Sequence, residues 1–199
     1  MWRSWRVEVI PFAVLSRRIF QARGISDELH YVRAHLRKVG ELTSKKYAEQ
    51  WERVRRYHNK FERLGDGIEH TQASPHYDDD VYAFFQNCYH LKDWIKNDPY
   101  CAGWPRVETL INSDPNLQLC ADLCNGQKHL TLTTHRSNEN PQFQGKAINL
   151  NITEGMGASE VKIAMTYNVV TTNRGTIDAL VLARDCVNAW DAFITANDP

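Results

Sequence analysis

Apolar side chains recur at steps of three and four through most of residues 43–125, then switch to strict alternation after Leu130. That change of period dictates helices first and sheet second. Tyr47, Trp51, Val54, His58 and Phe61 mark one face of a helix over 43–64, with lysine, arginine and glutamate filling much of the rest. An earlier helix over 26–39, capped by Ser26, pairs with it as a hairpin. Val81, Phe84, Phe85, Cys88, Leu91 and Ile95 trace the widest apolar stripe, over 78–97. Asp78, Asp79 and Asp80 then fall in its first turn, where the helix dipole favours negative charge. A short helix spans 107–111, and Asp114 with Pro115 supplies a cap and first position for another reaching about Asn125.

From Leu130 the alternation of Leu130 with Leu132, of Ile148 with Leu150 and Ile152, and of Val161 through Val169 predicts a small antiparallel meander. After a turn at Asn173–Gly175, a last helix over 176–195 covers the sheet with Ile177, Leu180, Val181, Val187, Trp190 and Ile194. The expected fold class is α+β: a mainly helical body, a late meander and a C-terminal helix packed on it.

At 199 residues, 42% of them hydrophobic and 24% charged, the chain is long enough for one ordinary core with an appended arm. Mean hydropathy is −0.54 and no apolar run reaches the roughly 18 residues of a membrane span, so a soluble, cytoplasmic protein without a membrane partner is expected. The net charge of zero conceals an asymmetry: residues 1–66 hold 15 Lys/Arg against 8 Asp/Glu, and residues 67–199 hold 9 against 16. This divides the chain into a basic arm (1–24), a basic helical hairpin (25–66) and a core domain (67–199), with the glycine-rich stretch Gly65–Pro75 as divider. The arm admits three readings: a folded part, a targeting segment or a start-site artefact.

No phosphate-binding glycine loop, nucleophile elbow or HExxH helix is present, so the common nucleotide-dependent and hydrolase classes lack support. The five cysteines read as reduced, packed thiols, and Cys120 with Cys124, one turn apart, lacks the second Cys/His pair of a zinc motif. Neither a metal nor a cofactor is expected.

One polar arrangement stands out. Gln118, Asp122, Asn125 and His129 fall at i, i+4, i+7 and i+11, while Asn87, His90 and Asp93 follow at i, i+3 and i+6 on another helix. If the two edges share a cleft, His129 serves as general acid and base. Asn125, His90, Asp93 and Asp122 then support it, and Lys128 stabilises a developing anion. The competing reading is that these groups cap helix ends. Arg53, Arg55, Arg56, Lys60 and Arg63, with Tyr57 nearby, form a candidate nucleic-acid face.

The segments FFQNCYHLKDWIKND (84–98) and LCADLCNGQKH (119–129) resemble those of a family of small uncharacterised bacterial proteins and, more distantly, HEPN-type helical proteins. The HEPN resemblance implies a four- or five-helix unit and metal-independent RNA cleavage in a defence or toxin–antitoxin system. The family signature is an arginine separated from a histidine by four to six intervening residues. Ahead of His129 those positions hold Asp122, Leu123 and Cys124, with Asn125 echoing the polar residue that often follows the arginine. Arg53 with His58, and Arg23 with His30, meet the spacing at about the frequency chance supplies. The leading expectation is a binding or interaction protein engaging an unidentified protein or RNA, homodimer formation included. The alternative is a HEPN-like ribonuclease.

Overall fold

The computed structural model describes residues 33, 44–69, 73–129, 134–155 and 158–198. The chain divides after Ser44, and the body from Lys45 onward has its own core. The arm at 1–24, the helix at 26–39 apart from Arg33, and the strand at Leu130–Leu132 lie outside the described residues.

The body runs α1 (Lys46–Asp66), β1 (Ile68–Glu69), α2 (Ser74–Asn97), a 3-10 turn (Pro99–Cys101), α3 (Val107–Ser113), α4 (Pro115–Lys128), β2 (Gln142–Gly155), β3 (Ala158–Thr171), β4 (Gly175–Asp178) and α5 (Ala179–Asn197). It is the α+β arrangement that the change of period predicts. β3 is the central strand. It pairs antiparallel with β2 along one side, and with β1 and β4 along the other.

The stripe on α1 is buried as expected, and it packs on α2 and β3 as part of the main core. A boundary at 66/67 therefore does not separate α1 from the core domain, and the expected loop at Gly65–Pro75 is corrected among its described residues: Gly65 lies in the last turn of α1, Ile68–Glu69 is β1 and Pro75 falls in the opening turn of α2. Five apolar side chains on that stripe, each 6% exposed or less, would otherwise face water.

Three local expectations are corrected. First, α2 begins at Ser74 with Pro75 in its opening turn, so the aspartates fall beyond the first turn. They serve as tertiary anchors instead: Asp78 accepts from Lys146 and Tyr167, and Asp80 from Lys60. Second, Gly175–Asp178 is a strand, and α5 starts at Ala179, where the Asp178 carboxylate accepts from the amides of Leu180 and Val181. Third, α5 turns Ala179, Leu182, Ala183, Cys186, Trp190 and Ile194 inward, leaving Val181 half exposed, because packing against α1, α4 and β3 selects the buried face. The Asp114 cap with Pro115 at the first position of α4 forms as expected: the carboxylate accepts from Asn116 and Leu117 at 2.8 and 2.9 Å.

No helix among the described residues is long and apolar enough to cross a membrane.

Candidate functional site

The polar edges of α2 and α4 take separate partners. Asn87 donates to the Ala83 carbonyl and accepts from Gln50 of α1. His90 Nε2 stands 3.0 Å from Lys128 Nζ and 3.9 Å from Cys124 Sγ. Burial lowers the pKa of His90, and the neighbouring Lys128 cation lowers it further. A neutral imidazole accepting from an ammonium is a poor proton donor near neutrality. Asp93 is exposed, and its nearest cation is Lys92, at 3.5 Å.

Asp122 does not face a groove. It is 2% exposed, and its carboxylate accepts from the Arg136 amide, the Ser137 amide and the Ser137 hydroxyl at 2.7, 2.8 and 2.6 Å. Those bonds pin the segment 134–140 to α4. Arg136 reinforces the attachment through Glu108 and Asn112 of α3, at 2.8 and 2.9 Å. Asn125 is half-buried, and its backbone carbonyl accepts from the His129 amide as the helix ends.

His129 emerges at that end into a cavity of about 540 Å³ between α2, α4 and the start of β2. His135, Gln127, Tyr82 and Phe143 also line it, and His90 does not. His135 Nδ1 and Gln127 Nε2 are buried there without a hydrogen-bond partner among the described residues. The two predicted histidines thus serve different surroundings, and the second imidazole beside His129 is His135. No spacing argument reaches His135, because the segment carrying it is placed by Asp122 and Arg136 rather than by a periodic element.

The basic face of α1 is partly neutralised from within. Arg53 pairs with Glu49, Arg55 with Asp191 and Lys60 with Asp80, at 2.8, 2.9 and 2.8 Å. Arg55 also lies over the Trp51 ring, and Lys60 over Tyr57. Arg56 and Arg63 remain exposed, with no ion pair among the described residues.

An element the sequence reading did not single out is the outer edge of β2. This strand of 14 residues pairs with β3 on one side, and no described strand covers the other. A register shift between Phe143 and Lys146, with Gly145 at φ +81°, bends it as it leaves the helices. Beyond that bulge Ile148 and Leu150 are 45% and 61% exposed, although their partners across the ladder, Met165 and Ile163, are each 2% exposed. Neither a protein-family model, nor a curated protein, nor a solved structure matches the chain.

Proposed function

We propose that this chain is an interaction protein that works through the outer edge of β2, and that a second copy of the chain occupies that edge. The observation that carries the reading is the exposure of Ile148 and Leu150 on a long strand with one side that no described strand pairs. Free N–H and C=O groups along such an edge template a further strand unless charge, proline or a cover blocks it. Residues 147–153 hold no charge and no proline. The edge is also self-complementary. Antiparallel pairing about Asn149 sets Ile148 of one copy against Leu150 of the other, twice over, as a two-fold axis requires.

A protein partner is favoured over RNA because Arg53, Arg55 and Lys60 already pair with carboxylates, which weakens the field that would attract phosphates. Sedimentation across the micromolar range tests the proposal. A dimer that Leu150→Lys converts to monomer supports it. A strictly monomeric wild type, or a dimer indifferent to Leu150→Lys, contradicts it.

A second reading, the HEPN-like ribonuclease, is favoured by the cavity that His129 shares with His135. Two imidazoles on one cavity can divide general-base and general-acid roles. Cleavage of a mixed RNA pool by wild type and its loss in both His129→Ala and His135→Ala support this reading. Intact RNA, or cleavage surviving either substitution, removes it.

A further inference from the structure

Cys88 of α2, Cys120 of α4 and Cys186 of α5 converge in the core although 32 and 66 residues separate them in sequence. Each is fully buried, none is in a disulfide, and their three sulfurs lie within 4.8 Å of one another. The helical neighbours Cys120 and Cys124 are not the pair that meets: Cys124 turns toward His90 instead.

Two unsatisfied polar atoms accompany this cluster. The Trp190 indole N–H, one turn beyond Cys186, is fully buried without an acceptor among the described residues. His58 of α1 is 9% exposed, with Nδ1 3.7 Å from the Glu62 carboxylate and Nε2 buried without a partner among the described residues. A neutral imidazole whose Nε2 has no hydrogen-bond partner keeps that nitrogen available as a metal ligand.

The thiols of Cys120 and Cys186 donate weakly, the first to the Phe85 carbonyl at 3.5 Å and the second to the Asn116 carbonyl at 3.4 Å. Both carbonyls belong to helix ladders, so surrendering those bonds costs little.

We propose that Cys88, Cys120 and Cys186, with His58 as fourth ligand, form a buried site for a thiophilic divalent cation of the zinc type. Zinc–sulfur bonds of about 2.3 Å in a tetrahedron place the sulfurs about 3.8 Å apart, so the three present need to close by no more than about 1 Å. His58 is not inside the 4.8 Å group, so binding draws its ring inward from α1. Three thiols lose their protons to solvent as the cation enters, and one net negative charge remains beside the Trp190 N–H. Such a centre ties α1, α2, α4 and α5 together through one atom.

The test uses the reduced full chain with Zn²⁺ and Co²⁺ as probes. Binding of about one ion per chain is expected, with intense sulfur-to-cobalt charge-transfer bands and a zinc absorption-edge shell of three sulfurs and one nitrogen. Cys186→Ala should abolish stoichiometric binding, Cys101→Ser should leave it intact, and His58→Gln should change the cobalt spectrum. No stoichiometric binding by wild type, or a shell of oxygen and nitrogen alone, overturns the proposal, and neither result depends on a variant folding.

Discussion

Replacing Asp122 by alanine should destabilise the protein heavily without touching any reacting group. The carboxylate accepts three hydrogen bonds of 2.6 to 2.8 Å from residues 136 and 137, and it is 2% exposed. Hydrogen bonds to a charged partner contribute about 1.5 to 3 kcal/mol each. The donors on 136 and 137 are half-buried and regain some water, so the low end applies and the loss comes to about 4.5 kcal/mol. With a urea slope of about 2 kcal/mol per molar, the unfolding midpoint should fall by about 2 M. Asp122→Asn keeps the shape but loses the charge, and should fall between wild type and alanine. Amide exchange across 134–140 should accelerate in Asp122→Ala while the α2 amides stay protected under native conditions. A midpoint shift below about 0.5 M, equivalent to about 1 kcal/mol, would refute the assignment of Asp122 as the anchor of that segment.

Three other outcomes follow from the same contacts. Lys128→Met should raise the His90 pKa, followed by NMR titration, yet leave it below the free-histidine value because burial is the larger cause of its depression. Asp198 is held at a pKa of about 2 by hydrogen bonds from Lys45, Tyr47 and Tyr100. Its contribution is therefore complete above pH 3.8 and is lost as pH falls from there toward 2, and a Tyr47→Phe, Tyr100→Phe double variant should flatten that part of the stability–pH curve. Asp178→Ala should cost about 1 kcal/mol in urea unfolding, the usual loss for an N-cap, because two α5 amides lose their acceptor.

The helices and strands are legible in the sequence wherever one face is buried over several turns or residues, as on α1, α2 and β3. Local chemistry also fixes the Asp114–Pro115 start of α4. The errors arise where a neighbour decides. Gly175–Asp178 looks like the beginning of a helix until β3 pairs with it, and the aspartates of α2 look like dipole partners until Lys146, Tyr167 and Lys60 reach them. The α4 polar stripe has correct helical spacing, but a 3.6-residue period cannot reveal that the segment 134–140 covers Asp122 and carries His135 to the cavity. The thiol cluster is invisible for the same reason: its members come from three helices, and the only close cysteine spacing, Cys120 with Cys124, points to the wrong pair. On β2, alternation identifies Ile148 and Leu150 as facing one side, but whether anything covers that side depends on where the helices end.

Residue-resolved amide hydrogen exchange at increasing protein concentration reads the β2 edge directly. Amides of 146–150 that point away from β3 should exchange rapidly in dilute solution and become protected as copies pair, while β3 amides remain protected throughout. Exchange of the β2 edge that does not change with concentration would contradict the account.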